Sequence, residues 1–522
     1  MKRHSIYYLL GFVALLVLAY VGVDLYLENL IRTEICKLIQ DEQYYHNCNE
    51  LKVDLEIASG DVRLTRISAI QRTDSASGSS IVGDLDTLQL SGMSYIDWFS
   101  KKKLHFKEAV VTFSEAAIHQ RDYGGTDTTT KEKPYGVLIV DVVSIHASKV
   151  QVTLADGMVI RLADAAIDCE DFAVSKWSQD APVRFSWSSI SADLKEGHVS
   201  PFMDGDLDVD RIAIDGKLHT ASITGLRAGP MDDLEELAKK VPIERDIISM
   251  QIDSISIAGL DDQMFMDFKK PWRHQKLRLA GATIEVVRDK LRPDEAYKVK
   301  PLPAVLIRKL PMNCGIDTIS VANFNITYHE RNDASRPFAK FPFHELNGTV
   351  VNVRNEPAMK EDMEINATSL VFQDTPVELS LSTNVSDSTN AIKLKAELGR
   401  LPFSDLMATT AAMSGVRTPQ GHINSITLYM NGSERQAAAR IWMRYSDLKL
   451  DVQSKKNKEK QNVALSALLN LLVKGDRTGA KEGDGWVDYE FERHRDRSVF
   501  NYLWSGLREG AKASMLPGFA TM

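Results

Sequence analysis

The stretch IKLKAEL, residues 392–398, alternates an apolar with a polar side chain at every position. A period of two is typical of a β-strand with one apolar face and one polar face. Because one face of each strand is polar, the pattern favours antiparallel sheets over the uniformly apolar strands of a buried parallel sheet. The chain is therefore predicted to be mainly β. The same alternation recurs in VDLEI (53–57), FNITY (324–328), VELSL (377–381) and VDYEF (487–491).

Short turn signals separate these strands. Ser-Gly or Asp-Gly pairs lie at 59–60, 156–157 and 215–216, and Asn-Gly pairs lie at 347–348 and 431–432. Such pairs connect neighbouring antiparallel strands, so the predicted topology is mostly a meander, with a few short helices between strands. The alternation does not distinguish a sheet that curls into an open groove from two sheets that close into a sandwich. Both architectures stay open at this point.

An uncharged apolar run of 18 residues, Ile6–Val23, follows a basic start that contains Lys2 and Arg3. As a helix the run would be about 27 Å long, close to the roughly 30 Å of a bilayer core. No Ala-x-Ala cleavage pattern follows it, which favours an uncleaved transmembrane anchor over a signal peptide. The positive-inside rule places the N-terminus in the cytoplasm. With no second run of this length, the sequence predicts a single-pass protein whose bulk lies on the far side of the membrane.

The overall composition is that of a folded protein with an acidic balance. Hydrophobic residues make up 44% of the 522 residues, charged residues 26%, and the formal net charge is -8. Nucleic acid is not a predicted partner, because phosphate binding needs clustered Lys and Arg. The cysteines Cys36, Cys48, Cys169 and Cys314 are too scattered for a disulfide framework, and none forms a CxxC pair. A local disulfide between Cys36 and Cys48 and a pair of free thiols both remain open.

No catalytic motif is found in the sequence. It lacks a GxxxxGK[ST] loop, a GxSxG elbow, an HExxH helix and a strand–GxGxxG–helix unit. The acidic series Asp204, Asp206, Asp208 and Asp210 lacks the glycine and distal glutamate of a calcium loop, and its alternation fits the solvent face of a strand. We therefore predict no enzyme, no cofactor and no metal site, although catalytic groups could still assemble from distant strands.

The C-terminal segment has helical rather than strand periodicity. Phe500, Leu503, Trp504 and Leu507 fall on one face at i, i+3 and i+4 spacing, and polar residues lie between them. An amphipathic helix of this kind either caps the open end of a sheet or lies on a membrane surface or a partner. The sequence is consistent with both placements.

Four stretches and the N-terminal anchor together follow a recognisable order. The stretches are LDTLQLSGMSYIDWFSKKKLHFKEAVVTF (85–113), IDTISVANFNITYHE (316–330), FHELNGTVVNV (343–353) and FNYLWSGLREGAKA (500–513). This order resembles the AsmA-like family of bacterial envelope proteins, which is related to TamB and more distantly to bridge-like lipid-transfer proteins. The resemblance spans nearly the whole chain, and it consists of strand and turn patterns without a catalytic signature.

The resemblance implies an elongated, curled antiparallel sheet whose hydrophobic groove handles or transfers lipid. It implies a role in outer-membrane biogenesis or homeostasis, an inner-membrane anchor and a periplasmic body. The implied partners are phospholipid or another membrane lipid, the membrane itself and an envelope protein. The alternative is a non-enzymatic structural or adhesion-type β-sandwich that binds a protein partner.

On this interpretation the chain has four parts. They are a cytoplasmic start and transmembrane anchor (1–23), a helical linker (24–50), a β-rich body (51–495), and a C-terminal amphipathic helix with its tail (496–522). The residues expected to line the groove are Phe324, Ile326, Tyr328, Leu379, Leu381, Leu394 and Leu398. The helix residues expected at a membrane or at the end of the sheet are Phe500, Leu503, Trp504 and Leu507.

Overall fold

The structure is a computed structural model, which describes most residues between 52 and 515 and a few isolated positions before residue 46. The predicted anchor, nearly all of the linker, Cys36, Cys48 and the tail from residue 516 lie outside the described residues. Within the part that is described, no helix is long and apolar enough to cross a membrane. The gaps after residue 52 are 57–58, 66, 72–79, 102, 114, 120–135, 155, 177–183, 262–270, 295–296, 312, 356–360 and 453–484.

The predicted mainly β class is confirmed, and most strand pairs are antiparallel. The chain forms two compact units, a division that the alternating pattern does not indicate. Unit 1 comprises Met1–Phe202, Leu207–Ser222 and Phe265–Asp267, and unit 2 comprises Met203–Asp206, Ile223–Met264 and Phe268–Met522.

Unit 1 contains a sheet, one short helix and a few helical positions between 26 and 33 in its described residues. Phe106, Leu64 and Leu90 are almost completely buried in its core, and Trp98 of the helix packs against them. The elements are β1 (Tyr44–Tyr45), β2 (Lys52–Glu56), β3 (Asp61–Thr65), β4 (Ile67–Gln71), β5 (Ser80–Leu85), β6 (Thr87–Ser91), α1 (Tyr95–Lys101), β7 (Leu104–Phe113), β8 (Glu115–His119), β9 (Gly136–Thr153), β10 (Val159–Lys176), β11 (Arg184–Ser186) and β12 (Ser189–Phe202). Strands β13 (Gly205–Asp215) and β14 (Thr220–Gly229) contribute residues to both units.

Unit 2 contains longer strands and four helices in its described residues. Its largest apolar cluster lies on one face of the last six strands. The elements are α2 (Leu234–Ala238), β15 (Asp246–Ala258), β16 (Trp272–Asp289), α3 (Pro303–Arg308), β17 (Cys314–Arg331), β18 (Ala339–Arg354), β19 (Met363–Val371), β20 (Thr375–Thr383), β21 (Ile392–Leu398), β22 (Leu401–Pro402), α4 (Phe403–Ser414), β23 (Val416–Gly432), β24 (Gln436–Val452), β25 (Trp486–Glu492) and α5 (Val499–Met515).

The strand pairing departs from a pure meander at a few places. Strands β16 and β17 pair in parallel, as do β7 and β8 with β9. A parallel pair needs a crossover connection of a dozen or more residues, and between β16 and β17 the chain from 290 to 313 supplies it and carries α3. The alternating pattern did not predict these pairs, because a half-buried parallel strand has the same period of two.

The turn prediction fails at Asn347-Gly348. These residues lie inside β18, where the register shifts between His344 and Asn347. The Asn347 side chain accepts a hydrogen bond from the amide of Asn323 at 3.0 Å and donates one to the carbonyl of Glu345 at 2.7 Å. The pair therefore stabilises an irregular step in the sheet instead of a hairpin turn. The other predicted turns lie at or just beyond strand ends.

Candidate functional site

An apolar cavity of about 500 Å³ lies within unit 2, between the apolar face of the sheet and one side of α5. This volume is in the range of roughly 300–1,000 Å³ that is usual for small-molecule sites. Its only charged lining residues are Glu397, Arg508 and Lys512 among the residues described. The sheet side is formed by Phe341, Pro342, Phe343, Val371, Phe372, Val377, Leu379, Leu394, Ala396, Leu398, Ile423, Ile426, Leu428 and Met443, with Leu401, Phe403 and Leu406 beside them; the α5 side is formed by Phe500, Leu503, Trp504, Leu507, Ala511 and Met515.

Strand alternation explains why the floor of this cavity, its sheet side, is apolar. In β21 the apolar positions of IKLKAEL point to one face, so Leu394, Ala396 and Leu398 all line the cavity. Ala396 pairs directly with Leu379 on β20 and with Leu428 on β23. A small side chain between two leucines leaves space in the middle of this row, and that space is part of the cavity.

One edge of the floor is held by α4. The helix begins directly after Pro402, which cannot donate a backbone hydrogen bond within the sheet. It ends at Gly415, whose φ of +72° is the left-handed conformation of a helix C-cap and whose amide donates to the carbonyl of Ala411 at 3.0 Å. Phe403 and Leu406 of this helix line the cavity.

The roof of the cavity is one side of α5, the cavity side. The opposite side of α5, the packing side, holds the helix against β24 and β25. Tyr502, Gly506 and Gly510 are buried on that second side. A Cβ atom on Gly510 would lie 2.6 Å from the Tyr489 hydroxyl, so only glycine permits this approach. The Tyr489 hydroxyl donates a hydrogen bond to the carbonyl of Gly506 at 2.6 Å, and burial raises the pKa of Tyr489. The structure thus shows the C-terminal helix covering its own sheet.

A second cavity of about 480 Å³, the polar cavity, lies in the same unit. Most of its charged side chains already have partners. Arg288 binds Asp246 through two hydrogen bonds of 2.6 Å, and Lys290 lies 2.7 Å from Glu330. The lining consists of Asp246, Arg288, Lys290, Tyr328, Glu330, Asn332, Phe341, Met413, His494, Asp496, Arg497, Ser498, Phe500, Asn501, Trp504, Ser505 and Arg508.

Aromatic rings form the wall where the two cavities meet. The ring centroids of Tyr328 and Phe500 are 6.2 Å apart, and those of Phe341 and Trp504 are 5.8 Å apart in an edge-to-face arrangement. Burial, followed by the negative charge of Glu330, raises the pKa of Tyr328, so its hydroxyl stays protonated and donates to Glu330 at 2.8 Å. The wall is therefore apolar on one side and hydrogen-bonding on the other.

The predicted groove residues are distributed over several sites. Leu379, Leu394 and Leu398 line the apolar cavity, together with all four helix residues Phe500, Leu503, Trp504 and Leu507. Leu381 is buried in the same cluster but is not part of the cavity lining. Tyr328 lines the polar cavity. Phe324 packs in a separate cluster with Ile252 and Ala282, and Ile326 pairs with Ile284 and Phe343 without lining either cavity.

Several cavity residues were not predicted from the sequence. Phe341 and Phe343 alternate in FPF of β18, a signal equivalent to those used, and they could have been found in the same way. The polar cavity carries no such signal. Arg288, Glu330 and Arg497 are far apart in sequence and meet only because β16, β17 and the residues just before α5 come together.

The remaining candidates from the sequence lie outside these cavities. Asp208 is 2.8 Å from His198, and Asp204 is 2.6 Å from Arg245, so these two carboxylates of the acidic series contact basic groups of the protein. No group of side chains suited to hold a metal ion occurs in the described ranges. Cys169 is buried and Cys314 half-buried, and neither forms a disulfide with a described residue.

Comparison with known proteins identifies no family for this chain. No family model matches it, and no curated protein matches it. The resemblance to the AsmA-like family therefore stays a prediction carried by the strand patterns and the N-terminal run.

Proposed function

We propose that the protein is a membrane-anchored, non-enzymatic lipid-handling protein that binds an acyl chain in the apolar cavity of unit 2. The single observation that carries this proposal is the cavity itself, about 500 Å³ in volume and lined almost entirely by hydrocarbon and aromatic side chains. Transfer of lipid towards an outer membrane and a periplasmic location are the wider form of the same proposal.

The apolar lining of the cavity favours an occupant. The cavity is open to solvent along part of its boundary. Water inside it would find few polar partners, whereas a stably bound water needs two to four. An acyl chain that displaces this water would gain about 0.8 kcal/mol for each buried methylene.

The surroundings of the cavity favour a membrane lipid as the occupant. Arg508 and Lys512 lie on α5, one helical turn apart, and both contribute to the lining. A basic group beside an apolar cavity matches a molecule with an acyl chain and an acidic headgroup. The predicted anchor Ile6–Val23 would keep the protein at a bilayer, which is the source of such molecules.

A cavity-filling variant tests the proposal. In Ala396→Phe the new ring would occupy the space between Leu379 and Leu428 without adding charge. Ala438→Phe is the matched control, because Ala438 is exposed on β24. The full chain is purified, and its bound lipid is quantified by mass spectrometry against protein, with circular dichroism to verify folding.

We expect Ala396→Phe to lose about one lipid per chain relative to the wild type, and Ala438→Phe to lose none. Subtracting the lipid content of Ala396→Phe from that of Ala438→Phe removes the contribution of any lipid that surrounds a membrane segment. Equal lipid content in all three proteins would contradict the proposal. A folded wild-type protein with no bound lipid would favour the structural or partner-binding alternative.

A further inference from the structure

We propose that the polar cavity is the headgroup site of the same lipid and that Arg508 binds its phosphate. This inference rests on the proposed function and specifies the ligand as a phospholipid.

Four residues belong to the linings of both cavities, namely Phe341, Phe500, Trp504 and Arg508. Three aromatic rings and one guanidinium therefore form the boundary between an apolar and a polar space. Aromatic residues take the same position where hydrocarbon meets headgroups in a bilayer. An amphiphile that crosses this boundary would place its chain on one side and its headgroup on the other.

The other cations of the polar cavity are engaged with carboxylates. Arg288 binds Asp246, Lys290 lies 2.7 Å from Glu330, and Arg497 lies 2.7 Å from Glu244. Each pair has a net charge close to zero, so none of these cations needs an anionic ligand to neutralise it.

Arg508 differs from these cations. Its Nε donates to Glu509 at 3.0 Å, and its two terminal nitrogens make no hydrogen bond to any residue that the structure describes. Glu509 also accepts a hydrogen bond from Lys512 at 2.9 Å, so one carboxylate is shared by two cations. A phosphate matches the two unused Nη groups, because guanidinium binds phosphate through paired hydrogen bonds.

The rest of the polar cavity suits the remainder of a headgroup. Ser498, just before α5, and Asn501 and Ser505, in its first two turns, offer hydroxyl and amide groups. Glu330 lines the same cavity and accepts a hydrogen bond from the Tyr328 hydroxyl at 2.8 Å. A headgroup that carries hydroxyl or ammonium donors fits this side better than a second anion.

The test compares ligands and variants on the full chain held in an amphipathic polymer without lipid. A single-chain phospholipid, used below its critical micelle concentration, is titrated beside a fatty alcohol of the same chain length and beside inorganic phosphate. Arg508→Gln is compared with Arg435→Gln, which removes the same charge at an exposed residue of unit 2 that lines neither cavity.

We expect Arg508→Gln to weaken phospholipid binding about tenfold or more, the effect of losing a charge-assisted hydrogen bond, and to leave fatty alcohol binding unchanged. Arg435→Gln should change phospholipid affinity less than about twofold, within the spread of exposed charges. Equal losses in both variants, or no loss in Arg508→Gln, would overturn the headgroup site while leaving the acyl-chain site intact. Binding of inorganic phosphate as tight as that of the phospholipid would also overturn it. If neither amphiphile binds, the proposed function itself fails.

Discussion

The two sides of helix α5 meet the same sheet in opposite ways. On the packing side, Gly506 and Gly510 let the helix backbone approach β24 and β25, and Tyr489 donates a hydrogen bond to the helix. On the cavity side, Leu503 and Leu507 face the sheet across the apolar cavity. One helix thus combines a closely packed contact with an unfilled one.

This difference shows what an amphipathic pattern does and does not specify. The packing side of α5 is buried and the cavity side is half-buried or exposed, but both sides contact residues of one apolar cluster. Small residues produce close packing on one side, whereas Ala396 on the sheet and Ala511 on the helix leave space on the other. A site for an apolar ligand is therefore compatible with a stable helix, because the packing side alone holds the helix in place.

The largest expected effect comes from truncating a side chain on each side. Ile441 is fully buried on β24 beneath Gly510, and Ile441→Ala should lower the free energy of unfolding by about 4 kcal/mol. Leu503→Ala removes a similar side chain that already borders a cavity, and we expect about 2 kcal/mol. Urea unfolding monitored by circular dichroism measures both values. Equal costs would mean that the two sides are packed alike.

A larger side chain should have different effects on stability at two adjacent positions. In Gly510→Leu the new Cβ would meet Tyr489 and, at 3.0 Å, Ile441, so overpacking should cost about 2 kcal/mol even after the gain in helix propensity. In Ala511→Leu the side chain enters the cavity, and we expect a change within about 0.5 kcal/mol of zero. Thermal unfolding of both variants checks the pair. A destabilised Ala511→Leu would show that the cavity side has no room.

Removing one hydroxyl should have a smaller effect on the packing side. Tyr489→Phe deletes the donor to the Gly506 carbonyl and should lower the free energy of unfolding by about 1 kcal/mol. Tyr429→Phe is the control, because Tyr429 is largely exposed on β23. Urea unfolding near neutral pH compares the two variants. If both variants match the wild type, the hydrogen bond contributes nothing to holding α5.

The smallest expected effect is a dependence on alkaline pH. Burial, followed by the negative charge of Glu509, raises the pKa of Tyr489 above its ordinary value of about 10. The stability that depends on the protonated hydroxyl is complete below pH 10 and is lost as pH rises from there towards the folded-state pKa. The free energy of unfolding, measured from pH 9 to 11, should therefore fall more steeply with rising pH in the wild type than in Tyr489→Phe. Identical slopes would contradict the buried position of this hydroxyl.

Strand alternation predicted the fold class and part of the candidate site. It identified Leu379, Leu394 and Leu398 because a period of two places them on one face whatever the topology. It could not separate them from Phe324 and Ile326, which follow the same pattern on β17. Which apolar face meets α5 depends on tertiary packing between segments that are distant in the chain.

Helical periodicity found the cavity side of α5 for the same reason. It gave no indication of the polar cavity, where Arg288, Glu330 and Arg497 approach one another from separate elements. The parallel pairing of β16 with β17 also brings Tyr328 into position, and local sequence does not encode that pairing.

The most direct test of an acyl chain beneath α5 is quenching of Trp504 fluorescence by a lipid with a brominated chain. The Trp504 signal is isolated as the difference between the full-length wild type and Trp504→Phe, and measured again in the Ala396→Phe and Ala438→Phe backgrounds. We predict strong quenching in the wild type and in Ala438→Phe, and little in Ala396→Phe, because the filled cavity no longer admits the chain. Equal quenching with and without the filled cavity would contradict acyl-chain binding at this site.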